Sequence, residues 1–355
     1  KEAQTLLGQY DDKLIAILRT QILVILGRIY FEHLDFKEAV NHFSNAKSNI
    51  VANFGENHIE LANIYHNFAH LHLITQDYMD GLRCIKESLR IKIEYYGEEH
   101  PEVAKSRIIL AGHFRNLCQF DDAMEEANKA VQIFRKFYPI CNIHLAKCYL
   151  ELAKIFEQTA DEISTAEEMY TAALNIINMS FSEDHPTTGE FHLEYGYLLT
   201  DLERSEEAKE HFEKAYSVFE KAYGKRHPYI IATQCAFGLL ERDMDHMEKA
   251  YSLMQQNLKD AIEYYGEIHS EVGTNYYWLS LTSASLGKNE DAVKYMEKAI
   301  EVDHAYLGPN CPKGSRNWLE LAKILLSLER VEEARAAAEK GLNEEKQYFG
   351  ERHLR

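Results

Sequence analysis

Apolar residues recur along the chain at helical spacing, and small residues fall among them at fixed intervals. Gly27, Ala69, Ala111, Ala153, Gly196, Gly238, Ser280 and Ala322 form one such column. A second small column follows twelve positions later, from Ala39 and Gly81 to Ala292 and Ala334, with thirteen positions only in the fourth unit. A third, seven residues on, runs from Ala46 and Ser88 to Ala299 and Gly341. Each unit closes on an aromatic or aliphatic residue: Phe54, Tyr96, Tyr138, Phe181, Tyr223, Tyr265, Leu307 and Phe349, 42 residues apart with one interval of 43. Polar runs such as Gln76-Asp77 and Gly287-Lys288-Asn289-Glu290-Asp291 predict turns in which Asp or Asn caps the helix that follows. A Gly then His-Pro, as in Tyr96-Gly97-Glu98-Glu99-His100-Pro101, predicts a helix end and the first turn of the next helix.

The predicted unit is a helical hairpin, helix A followed by helix B, repeated eight times. A single hairpin cannot bury its apolar face, so the units must stack. The expected organisation is one solenoid domain over residues 20–353, with residues 1–19 as the tail of a preceding helix plus a linker. The first helix A, Ile22-Leu23-Val24-Ile25-Leu26-Gly27, is apolar all round and expects cover on every side. Together with a start at Lys1 and a stop within a repeat loop, this predicts a fragment whose missing N-terminal region packs on that helix.

Composition agrees with an all-α fold. Gly supplies 17 residues and Pro 6 of 355, below ordinary usage and poor in the turns a β architecture needs. The formal charge of -18 disfavours nucleic acid and anionic membrane surfaces. The most apolar run, Ile22 to Phe31, is preceded by Arg19, Thr20 and Gln21, so no membrane span is expected. Six scattered cysteines without a C-x-x-C pair fit a reducing compartment, with Cys141 and Cys148 expected as buried thiols.

Small residues at the eighth, twentieth and twenty-seventh positions of a two-helix unit resemble the tetratricopeptide repeat, and Tyr96 to Ala104 resembles the 42-residue version of kinesin light chains. The resemblance implies a right-handed superhelical solenoid, a protein-binding adaptor role, and a cytoplasmic location linked to microtubules or cilia. The Asn-Asn pair of kinesin light chains is reduced to Asn67, and their preceding heptad coiled coil is absent, which points to a relative outside the light chains themselves.

Two histidine patterns invite a chemical reading. His58, His100, His185, His227, His269 and His353 recur in equivalent loops, but helices pack roughly 8 to 10 Å apart, too far for neighbouring loops to share one metal. A loop-shaping role is expected, and Cys311 in the same register fits it. His66 and His70 lie one turn apart, and no third ligand is evident, so a polar groove lining is expected rather than a metal site. No nucleotide loop, nucleophile elbow or cofactor motif is found, and no enzymatic activity or cofactor is expected.

The resemblance places a groove on one stripe of helix A. Its polar members in the first four units include Arg28, His66, His70, Lys105, Arg115, Lys147 and Lys154, and in the last four Arg242, Arg316 and Lys323. Eight cations face five anions there, within an acidic chain. A cationic stripe steers an acidic partner segment, and Tyr197, Tyr277 and Leu281 are expected to receive its apolar anchors. The competing expectations are that some of these cations pair with helix B carboxylates and leave no net field, or that the repeats are the regulatory or substrate-recruiting arm of a larger enzyme.

Overall fold

The computed structural model describes residues 2–33, 35–138, 142–159, 163–309 and 311–349. Among them are sixteen α-helices and no strand. The chain divides into two compact units, residues 1–180 and 181–355. The first holds α1 (Glu2–Glu32), α2 (Phe36–Phe54), α3 (Ile59–Ile74), α4 (Tyr78–Tyr96), α5 (Pro101–Asn116), α6 (Phe120–Phe137), α7 (Ile143–Gln158) and α8 (Ile163–Ser180). The second holds α9 (Pro186–Asp201), α10 (Ser205–Tyr223), α11 (Pro228–Asp243), α12 (Met247–Tyr265), α13 (Ser270–Ser285), α14 (Asn289–Leu307), α15 (Pro312–Ser327) and α16 (Val331–Phe349). Odd-numbered helices are helices A and even-numbered ones helices B, so the all-α, helix-pair solenoid pattern is present in each unit.

Size matching across each hairpin sets the packing. A Cβ added at Gly27 would lie 2.5 Å from the Phe43 ring, and one at Gly196 would lie 2.4 Å from the Phe212 ring. At Ala111 the helix B residue in the same register is Ala127, and both are buried. Large side chains on one helix thus fill the space that glycine leaves on the other. The Ala column at residues 39, 123, 208, 250 and 292 is fully buried for the same reason.

The helix starts are held by histidine rather than by the usual short polar residues. The backbone N–H of Glu102 donates to His100 Nδ1 (3.1 Å), and equivalent bonds run from Glu60 to His58, Thr187 to His185, Tyr229 to His227 and Glu271 to His269. Each ring is held in place by stacking on the aromatic residue that closes the preceding helix B, as Tyr96 on His100 (4.3 Å, 10°) and Tyr223 on His227 (3.9 Å, 12°). Between ring and helix sits a glycine at φ near +80°, as at Gly97 and Gly224. Where histidine is missing, Asn142 accepts from His144 N–H (2.8 Å) and Cys311 Sγ accepts from Gly314 N–H (3.3 Å). The repeated Tyr-Gly-x-x-His is therefore a helix-start device. His353 lies outside the described residues.

Helix B starts differ from expectation. Asp35 caps α2 by accepting from Glu38 N–H (3.2 Å), but Asp77 makes no side-chain cap bond, nor do Gln119, Arg204, His246 and Lys288 at the same point. There the A-to-B turn is fixed by one left-handed residue, such as Gln76, Cys118, Glu203 or Asp245, whose backbone lets the next N–H reach back into helix A.

One expectation at the N-terminus is corrected. Residues 2–32 form one continuous helix, with no linker before the first helix A, because nothing between Gln9 and Glu32 breaks the helical pattern. Residues Asp12–Glu32, with a mean hydropathy of 1.8, are by length and composition alone enough to cross a membrane, and 17% of that stretch is buried.

Two substitutions test the packing and the caps. Gly196→Ala lowers unfolding free energy by about 1–3 kcal/mol, and adding Phe212→Met recovers part of it because methionine bends around the new methyl group. His100→Ala costs about 1 kcal/mol whereas His100→Asn, copying Asn142, recovers most of that loss; urea titration of each variant reads both effects.

Candidate partner-binding groove

In the first unit each helix A touches the next helix A, α1 on α3, α3 on α5 and α5 on α7, while no contact of comparable extent joins successive helices B. The helices A therefore line the tighter, concave side of that unit. In the second unit α9 touches α11 and α11 touches α13 in the same way. The two concave faces are described separately below.

In the first unit Arg28 (α1), His66 and His70 (α3), Lys105 (α5) and Lys147 (α7) converge. Their proximity shows in the histidines. Crowding by protein atoms is the main cause that pushes His70 to about 4, followed by the charges of Lys147, His113 and Arg28. His66 is held well below its ordinary value by burial first, then by Lys92, His70, Lys105 and Arg28. His144, also at about 4, is depressed by burial and then by Lys105 and Lys147, against the opposing pull of Glu102. His70 remains solvent-accessible, so its crowding is that of a concave surface rather than of the core.

The cations are not equivalent. Arg115 Nε donates to Glu151 (2.7 Å), with both side chains at most 15% exposed, and Lys105 pairs with Glu102 (2.5 Å). Pairing with carboxylates thus accounts for these two, although the partners lie on helices A. Arg28 and Lys147 are exposed and have no carboxylate within ion-pair distance among the described residues. Lys154 is half-buried on α7, about two turns beyond Lys147.

Beneath the histidines lies a side chain that periodicity alone did not single out. Lys92 on α4 is 2% exposed, donates to Ser106 Oγ (3.1 Å) and lies 3.8 Å from Glu102. Burial pushes its pKa down to about 8, against the raising effect of Glu102. Ser106 Oγ also lies 3.2 Å from His66 Nδ1, so Lys92 supports the groove histidine through one hydroxyl. The signal was present in sequence: through the first five repeats the other members of the Lys92 column are Ile50, Phe134, Ile177 and Phe219.

The second unit is quieter. Arg242 pairs with Asp243 (3.0 Å) and lies over the Trp278 ring (5.0 Å), Arg316 lies over Tyr277 (4.7 Å), and Lys323 pairs with Glu320 (2.8 Å). Tyr277 is 8% exposed and belongs to the core between α13, α14 and α15, so it offers its face to Arg316 rather than an open pocket. Leu281 and Tyr197 are half-buried, Leu281 against that same core and Tyr197 edge-on to Phe212 (5.4 Å). Among the described residues no three His, Cys, Asp or Glu side chains converge as a metal site would require. Cys148 is buried, and Cys141 lies outside the described residues.

A family model of the tetratricopeptide repeat matches residues 60–136, 187–263 and 271–343. The chain belongs to the tetratricopeptide repeat family. Three solved tetratricopeptide-type folds illustrate the likeness. A Rap protein complexed with competence and sporulation factor is 16% identical over 91% of this chain and 84% of its own, with a TM-score of 0.65. The apo quorum sensor NprR from B. thuringiensis is 14% identical over 92% and 87%, with a TM-score of 0.59. Nearly identical repeats from Podosopora anserina, assigned to a kinesin light chain, are 18% identical over 56% and 93%, with a TM-score of 0.45. No curated protein matches the sequence. Identities this low speak for the fold alone.

His113 gives the unit a measurable pH dependence. It is fully buried over Gly81, with Nε2 3.0 Å from the Ala69 carbonyl, and burial pushes its pKa to about 4. A histidine depressed in the folded state stays neutral while its unfolded counterpart takes up a proton near pH 6.5, so stability is lost as pH falls from 6.5 towards 4. His113→Leu, copying Leu71 in the same register, flattens the pH dependence of unfolding by about one proton, up to about 1.4 kcal/mol per pH unit. Denaturant titrations between pH 7.5 and 4.5 measure it.

Proposed function

We propose that this chain is a non-enzymatic adaptor whose first unit holds an acidic segment of a partner protein on its concave face. The carrying observation is the pair of unbridged cations, Arg28 and Lys147, flanking His66 and His70 across helices α1, α3 and α7. Carboxylates of an extended segment would meet these cations and offset the positive charges that, after burial, hold down His70 and His144. The half-buried Leu73 supplies apolar contact beside the charges. Affinity then comes from apolar contact and charge steering in an otherwise acidic chain, with no bond made or broken. The Rap structure, which holds competence and sporulation factor, is a fold of this kind with a bound factor. In the second unit the half-buried Tyr197 and Leu281 offer apolar contact of their own to a partner segment.

Isothermal titration with an acidic, aromatic-containing peptide tests the proposal. Lys147→Gln weakens binding about tenfold at low salt, and the loss shrinks as salt rises. Lys323→Gln, which removes a cation already paired in the second unit, leaves affinity unchanged. Binding takes up protons and tightens between pH 7.5 and 5.5, because the bound carboxylates raise His70 and His144 from about 4. Equal affinity for wild type and Lys147→Gln, with both folded, rejects this site.

A further inference from the structure

One column of helix A residues reads, from the second repeat to the eighth, Tyr65, Arg107, Tyr149, His192, Gln234, Tyr276 and Trp318. Its members meet partners on helices B. Nineteen residues further on, across the same hairpin, Arg107 pairs with Glu126 (2.5 Å), His192 Nδ1 lies 2.9 Å from His211 Nδ1, and Tyr276 stacks on Tyr295 (6.2 Å). At three aromatic members a cation covers the ring: Lys47 over Tyr65 (5.1 Å), Arg135 over Tyr149 (5.6 Å) and Lys340 over Trp318 (4.5 Å). Gln234 departs from the column. The residue nineteen further on is Leu253, which has no side-chain donor, and Gln234 Oε1 is buried with no hydrogen-bond partner among the described residues. A buried amide oxygen is costly to leave unsatisfied.

Gln234 lines a cleft of about 370 Å³ in the second unit, inside the roughly 300–1,000 Å³ range of ligand sites. The buried Ile231 joins it from α11, Tyr216 comes from α10, and Asp260 and Tyr264 come from α12. Because α10 and α12 are helices B of consecutive repeats, the cleft lies on the helix B side and shares no residue with the helix A stripe. Its charges are unevenly matched. Lys225 and Arg226, 81% and 83% exposed at the rim, are already bridged, Lys225 to Glu220 (3.6 Å) and Arg226 to Glu263 (3.0 Å). Asp260 accepts from Gln256 Nε2 (2.8 Å) and has no cation within ion-pair distance among the described residues. One carboxylate, one buried amide oxygen and two tyrosine rings remain open in the cleft. Each favours a cationic hydrogen-bond donor.

We propose that this cleft takes the arginine side chain of a partner protein, its guanidinium meeting Asp260 and Gln234 while its stem lies along Tyr216, Ile231 and Tyr264. A guanidinium suits the cleft better than an ammonium because its donors spread over a plane. One group can then serve a carboxylate and an amide oxygen together and lay its face on a ring. The rim suits attachment to a protein chain. Its exposed, mutually neutralised ion pairs resemble the polar margin of a protein contact, which backbone groups of a segment can meet without a further charge. The site is separate from the acidic segment proposed for the first unit, and neither depends on the other.

Isoleucine methyl spectra of the whole chain, titrated with acetyl-Gly-Arg-Gly amide to about 20 mM, test this, with circular dichroism as the folding control. The Ile231 methyl is expected to shift and saturate with a dissociation constant of about 1 mM, while the Ile64 methyl in the first unit stays in place. Asp260→Asn and Gln234→Leu are each expected to raise that constant about fivefold or more. The same peptide with citrulline, which keeps the shape and loses the charge, is expected to bind at least about fivefold more weakly. No movement of the Ile231 methyl with the arginine peptide overturns the proposal, as does equal affinity for the citrulline peptide or for folded Asp260→Asn. A shift caused instead by acetyl-Gly-Glu-Gly amide would assign the cleft to an anion at Lys225 and Arg226. Tighter binding of free arginine than of the peptide would assign it to a small cation rather than a protein, and either result rejects the proposal.

Discussion

A helical hairpin has two apolar faces and can bury only one of them against its own partner helix. Everything else in this protein follows from where the other face goes. Helix B of one repeat supplies the cover that helix A of the next requires, and each repeat is stable only through its neighbours. The 42-residue period is the expression of that demand. A change in loop length would shift helix A relative to the helix B it must meet, and the one extra residue of the fourth repeat falls between α7 and α8, within a hairpin, so the column registers resume after it. Close packing inside each hairpin then fixes the distance, with Gly27 and Gly196 yielding to Phe43 and Phe212.

This constraint explains why the fold was so legible in the sequence. Periodic burial writes itself as columns, and a column of small residues survives changes that would blur a single helix. The signals that misled were local ones. Asp and Asn before helix B promised caps, yet only Asp35 makes a cap bond among those named, since a left-handed residue such as Gln76 or Glu203 already closes the turn. Histidine, rarely counted among capping residues, does that work at helix A because a stacked aromatic ring aims Nδ1 at the backbone. The linker expected before residue 20 failed for a similar reason. Nothing between Gln9 and Glu32 breaks the helical pattern, and α1 runs through.

The neighbourhood of the helix A stripe is legible in the sequence, its ion pairs less so. Arg28, His66, His70, Lys105 and Lys147 lie near one another, because spacing by three and four keeps residues on one face. Whether each cation is free depends on residues far along the chain. Glu151, 36 residues beyond Arg115, neutralises it across α5 and α7, and it belongs to a column that also contains Asn67, Ile109 and Trp278. No periodic rule predicts a carboxylate there. Lys92 shows the converse: a charged residue set among apolar neighbours of its column is visible in sequence once the column is drawn, but its bond to Ser106 emerges only from packing. Tyr277 shows a third case, since position on the stripe gave its face and not its depth.

Electrostatics on the concave side of the first unit is therefore a stored imbalance rather than a finished network. Arg28 and Lys147 remain unbridged, and the histidines between them are held neutral by crowding and by these same cations. In a folded protein, unbalanced like charges raise free energy, and their persistence across successive helices A is tolerated because stacking supplies the stability. In the proposed function an incoming carboxylate would change three terms at once: it would pair with the cations, remove part of their mutual repulsion, and make protonation of His70 favourable. Such a ligand would also stabilise the unit against unfolding, because it would bind the assembled repeats and not the separated hairpins. Binding and folding share one source, the contact between neighbouring repeats, since only that contact brings Arg28, His70 and Lys147 within reach of one another.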